Sequence, residues 1–192
     1  MRGAFLTLSP KLLFEFVSSK LADITVKSKQ WAQIEKGLFN ALAELGKKEG
    51  YSVYTKGLDE GEYLVDLCWY FEKEPMRKWM ELACEIEWSS QDPQDIIDDM
   101  WKLTDIKANL KLGISSPKVK DKDSVIAKVA SIIRDHAIKV PSEQYVMIYI
   151  IYQPYVKEEE RFDILAYSYD TLGNEVLLGE RKVAWAYFLP TK

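Results

Sequence analysis

The run Tyr63–Phe71, YLVDLCWYF, constrains the fold more than any other stretch of the chain. It is apolar almost throughout, and a near-continuous apolar run of this length is typical of a central strand buried on both faces. Such a strand belongs in the middle of a sheet with helices packed on it. Its only charged residue is Asp66. An isolated carboxylate there needs a partner or a raised pKa, because burial disfavours its charged form.

The order of the remaining segments predicts the fold class. Ser9-Pro10 reads as a helix cap followed by the first helical residue, and Leu172-Gly173-Asn174 suits the turn of a hairpin. The predicted helices cover 10–21, 28–48, 93–109 and 122–138, and the predicted strands cover 51–56, 62–71, 80–88, 110–115, 144–152, 162–170 and 175–189. This order, α-α-β-β-β-α-β-α-β-β-β, predicts an α/β fold: a mixed central sheet with flanking helices and antiparallel strands at the C-terminal end.

Composition favours one globular domain over residues 1–192. The hydrophobic fraction is 47%, the charged fraction 29% and the net charge −4, which argues mildly against a protein that coats nucleic acid non-specifically. No apolar run approaches the ~18 residues of a membrane span, so we expect no membrane association and a cytoplasmic location. If Asp66 and Glu85 face the same site, Cys68 and Cys84 lie on opposite sides of the sheet, and both thiols are expected to be reduced.

Acidic residues recur where apolar ones are expected. Glu85 and Glu87 lie two apart in MELACEIEW, so on a strand they point to the same face, where like charges repel. On the helix 28–48, taking Trp31 as zero and about 100° per residue, Glu35 falls near 40°. That position is the middle of the apolar arc. A hard divalent cation that prefers oxygen ligands, Mg²⁺ or Mn²⁺, would neutralise these carboxylates together.

Residues 28–115 resemble the PD-(D/E)XK nuclease-like (restriction endonuclease-like) superfamily. The segments LVDLCW, LACEIEWS and DMWKLTDIKANLKLGI carry the resemblance, which implies an α-β-β-β-α-β core completed by the helix and strands of 116–192. By residue, Asp66 matches the metal-binding aspartate and Glu85 the second metal ligand. Glu87 stands where the catalytic lysine usually stands, and Glu35 resembles the first-helix glutamate of part of the superfamily. The resemblance implies Mg²⁺-dependent phosphodiester hydrolysis, with Asp66, Glu85 and Glu87 as metal ligands.

The chain departs from the superfamily pattern at two positions. Val65 precedes the aspartate in place of proline, and Glu87 replaces the lysine. Some members use glutamate at the lysine position, and others carry the lysine on the following helix, where Lys102 is the candidate. A helical wheel with Ile96 at zero puts Lys102 near 240°, on the polar side, so we rank Glu87 above Lys102.

Partners are less constrained by the sequence. Lys107, Lys111, Lys118 and Lys120 follow the predicted active-site region and are candidate phosphate contacts, with a solvated lysine-rich loop as the alternative. DNA is favoured over RNA, and the aromatic C-terminal strands would suit a homodimer interface or a base-stacking surface. The alternative to a nuclease of restriction or repair type is an inactive nuclease-like fold that binds nucleic acid or protein. His136, the only histidine, is read as a core or interface residue.

Overall fold

The protein is described by a computed structural model over residues 8–28, 30–56, 65–73, 77–88, 92–153 and 161–185. Its helices and strands are α1 (Pro10–Thr25), α2 (Trp31–Lys48), β1 (Ser52–Thr55), β2 (Leu67–Lys73), β3 (Arg77–Glu87), α3 (Pro93–Asp105), β4 (Leu110–Ser115), α4 (Lys122–Asp135), β5 (Gln144–Tyr152), β6 (Phe162–Asp170) and β7 (Glu175–Val183). The predicted order of elements and the mixed α/β class are therefore confirmed.

One mixed sheet contains all seven strands in chain order, β1 to β7. β2 is antiparallel to both β1 and β3, and β4 is parallel to both β3 and β5. β6 is antiparallel to both β5 and β7. The parallel step from β3 to β4 is spanned by α3, and the step from β4 to β5 by α4, since a parallel crossover needs a long connection. The antiparallel C-terminal strands agree with the sequence prediction.

Helices cover both faces of the sheet. On one face α1 and α2 pack residues such as Leu13 and Leu42 against Leu67, Leu82 and Cys84. On the opposite face α3 and α4 pack residues such as Met100 and Val129 against Cys68, Ala83 and Met147. Burial on both sides explains why the central strands are apolar at consecutive positions. Among the described residues, no helix has both the length and the apolar character needed to cross a membrane.

The cap of α1 and the placement of the two cysteines agree with the sequence predictions. Ser9 caps α1 by accepting a hydrogen bond from the Leu12 N–H at 3.3 Å, with Pro10 beginning the helix. Cys68 and Cys84 are buried on opposite faces and both are free thiols, as expected from strand alternation.

Several element ends differ from prediction. The helix predicted to end at Leu21 continues to Thr25, while α3 ends at Asp105 and α4 at Asp135, before their predicted ends. β2 begins at Leu67, so Asp66 lies immediately before the strand and not within it, which corrects the sequence prediction. Residues 62–64 and 186–189 of two predicted strands lie outside the described residues.

Candidate functional site

Asp66 is held at the entrance to β2 by backbone and side-chain contacts. The Lys56 backbone N–H donates to the Asp66 carbonyl at 2.8 Å, which extends the pairing of β1 with β2. The Ile86 N–H donates to Asp66 Oδ2 at 3.0 Å, and Lys56 Nζ lies 3.3 Å from Oδ1. The aspartate is therefore fixed beside β3 with one carboxylate oxygen on the backbone and one beside a cation.

Glu85 lies next to Asp66 because β2 and β3 pair with Leu67 opposite Cys84. Its side chain is 2% exposed and forms a hydrogen bond with that of Asp66. Burial raises the pKa of Glu85 to about 9, and repulsion from Asp66, their hydrogen bond and the charge of Asp99 add to the effect, while Lys102 opposes it. Without a cation, Glu85 is thus protonated at neutral pH and donates a hydrogen bond to the Asp66 carboxylate.

Glu35 enters the site from α2, on the face of the sheet opposite α3 and α4. Trp31, one turn earlier on α2, packs on Trp88 with ring centroids 5.5 Å apart, which brings the start of α2 to the end of β3. Burial raises the pKa of Glu35, and the charges of Asp66 and Glu87 raise it further while Lys56 lowers it. The apolar-arc position that the wheel gave Glu35 is thus a half-buried position beside the other acids.

Lys102 reaches the site from α3, on the polar side of that helix. It forms an ion pair with Asp99 one turn earlier. Gly113 of β4, which pairs with Glu85, lets α3 approach closely: a Cβ added there would lie 2.6 Å from the Sδ atoms of Met100 and Met147. The ranking of Lys102 below Glu87 assumed that the polar side of α3 faces away from the site, and that assumption is wrong.

A pocket of about 370 Å³ joins these groups at the end of β3. It is lined by Glu35, Phe39, Lys56, Asp66, Glu85, Ile86, Glu87, Asp99 and Lys102. All five residues predicted to be catalytic therefore border one pocket, and its acids outnumber its lysines five to two. A larger pocket of about 430 Å³ beside β7 contains none of them.

Sequence reasoning missed Lys56 and Asp99, which also line the pocket. A signal existed for each. Lys56 directly follows β1, which pairs with the start of β2. Asp99 lies three residues before Lys102, the spacing at which helical side chains meet.

The donor set of the pocket suits a hard divalent cation. Its acidic groups offer carboxylate oxygens, the ligands that Mg²⁺ and Mn²⁺ prefer, and Mg²⁺ often takes only one or two carboxylates together with water and phosphate. Within the described part of the chain, no three His, Cys, Asp or Glu side chains already stand in an arrangement that could hold a metal ion. Residues such as Asp66 and Glu85 fit the ion by chemistry, and the side chains would have to turn toward it.

The four lysines predicted to contact phosphate are separated by the fold. Lys118 and Lys120 are exposed in the loop after β4, at the same end of the sheet as the pocket. This loop begins beside β3, where the Ser116 N–H donates to the Glu87 carbonyl at 3.1 Å. Lys107 is exposed but precedes β4, at the opposite end of the sheet.

Lys111 is not on the surface, which corrects its assignment as a phosphate contact. Its side chain is 1% exposed, and its Nζ lies 2.7 Å from Glu143 Oε2. It also donates to the Thr104 carbonyl at 3.2 Å and to the Tyr145 hydroxyl at 3.1 Å. A lysine held by three buried partners has a structural role.

His136 follows α4 and is largely buried. Its Nε2 lies 2.9 Å from Asp105 Oδ1, and its Nδ1 lies 2.8 Å from the Ile138 carbonyl. It links the ends of α3 and α4.

Comparison with known proteins assigns no function to the pocket. No model of a known protein family matches the chain, and no curated protein matches it significantly.

Proposed function

We propose that the protein is a metal-dependent nuclease that hydrolyses phosphodiester bonds of nucleic acid, with a restriction endonuclease-like core in residues 28–115. The observation that carries the proposal is the convergence of Glu35, Asp66, Glu85, Glu87 and Lys102 on one pocket, from four separate segments of the chain. Burial of Glu85 beside Asp66 costs free energy in the absence of a cation, and such arrangements occur at functional sites.

Asp66, Glu85 and Glu87 are the residues that would hold Mg²⁺ or Mn²⁺. When bound, the ion lowers the pKa of a coordinated water and offsets negative charge that develops on the scissile phosphate. Glu85 must lose its proton to act as a ligand, because the metal takes the deprotonated carboxylate. Binding of the cation would therefore favour the ionised form of Glu85, which burial and the charge of Asp66 disfavour in the metal-free protein.

The remaining pocket residues act on the substrate and its proton. Lys102 carries the cation that the superfamily usually has at the Glu87 position, and it stabilises charge on the phosphate. Asp99 is a positioning residue for Lys102, since the two are paired along α3. Glu35, whose pKa is raised, is a stronger base than an exposed glutamate and can accept a proton from the attacking water.

The nucleic-acid backbone would run along the end of the sheet that holds the pocket. Lys118 and Lys120 are exposed there and could contact phosphates on one side of the scissile bond. DNA remains favoured over RNA as the substrate, and the cytoplasm as the place of action.

Cleavage assays with one matched pair of variants test the proposal. Purified protein should cleave double-stranded or single-stranded DNA, or RNA, with Mg²⁺ or Mn²⁺ and not with EDTA. Glu85→Ala should reduce cleavage about a hundredfold or more by removing a ligand. Glu44→Ala makes the same substitution at an exposed position of α2 outside the pocket, and it should leave activity unchanged.

The second candidate function is a binding module that retains the fold without catalysis. It is favoured by the contacts of Asp66, whose two carboxylate oxygens already engage Lys56 and the Ile86 N–H. Protein that binds nucleic acid equally well with and without divalent metal, and cleaves none of the substrates, would establish the module and exclude the nuclease.

A further inference from the structure

Most residues of β7 are exposed. β7 is the last strand of the sheet and, within the described ranges, pairs only with β6. Val176 is 59% and Leu177 51% exposed, and Leu172 in the preceding turn is 66% exposed. Within the described residues β7 is thus a nine-residue edge strand, the position at which a further strand can extend a sheet.

A β-bulge fixes which side chains of β7 share a face. Ala166 pairs with Gly179 and Tyr167 pairs with Leu177, so Leu178 is an extra residue. Paired residues point to the same face. The side chains on the α3 and α4 face are therefore those opposite Tyr169, Tyr167, Leu165 and Asp163, namely Glu175, Leu177, Glu180 and Lys182.

The bulge determines how a second copy of β7 can pair with the first. In an antiparallel pair related by a two-fold axis perpendicular to the sheet, each residue meets one on its own face. Centring the axis on the bulge, between Leu178 and Gly179, meets this condition along the whole strand. It places Glu175 opposite Lys182, Val176 opposite Arg181 and Leu177 opposite Glu180. A slip of one residue would put Glu175 opposite Arg181 or Val183, on the wrong face.

Charge supports the same register. Glu175 begins the strand and Lys182 lies near its end, so the two-fold axis creates an opposite-charge pair at both ends of the interface. A slip of two residues would instead place Glu175 opposite Glu180, or move it beyond Val183. The favoured pairing also covers Val176 and Leu177.

We propose that β7 pairs antiparallel with β7 of a second copy of this chain, joining the two sheets into one. The candidate pocket lies among β1, β2 and β3, in the other half of the sheet, so the pairing leaves it open. The proposal is therefore independent of the nuclease function.

Charge reversal tests both the interface and its register. Sedimentation equilibrium should show a dimer, and Glu175→Lys or Lys182→Glu should each raise the dimer Kd about tenfold or more, because each change creates two like-charge pairs. The double variant Glu175→Lys/Lys182→Glu should return the Kd close to that of the wild type. Lys128→Glu, an equal charge reversal on exposed α4, should have no effect. Thermal unfolding of each variant checks that the monomer is folded.

Cysteine crosslinking gives a second readout that does not depend on charge. The native cysteines are buried. Under oxidising conditions Val176→Cys/Arg181→Cys should form disulfide-linked dimers, whereas Val176→Cys/Glu180→Cys, with the two sites on opposite faces, should not. A wild-type protein that stays monomeric at high concentration overturns the proposal. A dimer whose Kd is unchanged by both single charge reversals, or whose Kd is not restored in the double variant, also overturns it.

Discussion

Glu85 carries the sharpest conflict between a charge and its surroundings. It is buried in the sheet, and its neighbours Asp66 and Asp99 both disfavour a negative charge on it. The hydrogen bond to Asp66 resolves the conflict only while Glu85 keeps its proton. The folded protein therefore holds this proton over a pH range in which an unfolded glutamate has released it.

That proton makes stability depend on pH in a direction opposite to the usual one for a carboxyl group. The pKa of Glu85 rises from 4.5 to about 9 on folding. Between these values Glu85 binds its proton more in the folded state than in the unfolded state. Its contribution to the free energy of unfolding is therefore greatest at the acidic end and falls as pH rises. The slope contributed by one group is at most about 1.4 kcal/mol per pH unit. In EDTA, urea unfolding from pH 5 to 9 should show this decline for the wild type.

Glu85→Gln is the matched variant for this measurement, since glutamine is nearly isosteric and cannot ionise. Its unfolding free energy should vary less with pH than that of the wild type, with the gap widening toward pH 9. Two parallel pH profiles would mean that Glu85 titrates normally in the fold.

At the scale of elements, Lys111 joins β4 to the end of α3 and the start of β5. It contacts the Thr104 carbonyl on one side and Glu143 and Tyr145 on the other, and all of these groups are buried. Burial lowers the pKa of Lys111, while the adjacent Glu143 carboxylate opposes that change. Each ion is tolerated in the interior because the other neutralises it.

Removal of one ion should therefore cost more than removal of both. Lys111→Met leaves Glu143 buried beside no cation and should lower the free energy of unfolding by about 3–5 kcal/mol. Lys111→Met/Glu143→Gln should recover more than half of that loss. Lys107→Met, the same change at a nearby exposed lysine, should stay within about 0.5 kcal/mol of the wild type. Urea unfolding at neutral pH compares the three, and equal losses in the single and double variants would contradict a coupled pair.

The same elements show what a sequence can and cannot predict. The proximity of Asp66 and Glu85 followed from the apolar run that predicted β2 and from the side-chain alternation that predicted β3, because both patterns reflect burial in a sheet. The wheel placed Ile97, Met100 and Leu103 correctly on the buried side of α3, although Trp101 on the same arc is exposed. It could not show that Lys102 borders the pocket, because the pocket lies beside the polar side of the helix. Lys111 read as a surface lysine because its partner Glu143 is distant in sequence, and only the folded chain brings them together.

At the scale of the whole molecule, the pocket lies beyond the end of β3, between the layer of α1 and α2 and the layer of α3 and α4. α2 belongs to one layer and supplies Glu35, while α3 belongs to the other and supplies Lys102. A ligand that binds there contacts both layers and the sheet between them. Its binding free energy is thus coupled to global unfolding and not to a local loop.

Divalent metal should consequently raise the melting temperature of the whole protein. At a hundredfold excess over Kd, binding to the folded state alone adds about 2.7 kcal/mol, which for a domain of this size is a shift of about 5–10 °C. Differential scanning fluorimetry with Mg²⁺ or Mn²⁺ measures the shift, and NaCl at equal ionic strength controls for charge screening.

Asp66→Asn separates a metal site from a structural ion pair. Asparagine can still accept the hydrogen bond from the Ile86 N–H, and it removes the charge that opposes ionisation of Glu85. The metal-free variant should therefore melt at the same temperature as the wild type or higher, and metal should no longer shift it. A metal-free variant that melts well below the wild type would instead show that the Lys56–Asp66 contact stabilises the fold. Loss of the shift together with an unchanged metal-free melting temperature assigns Asp66 to the cation.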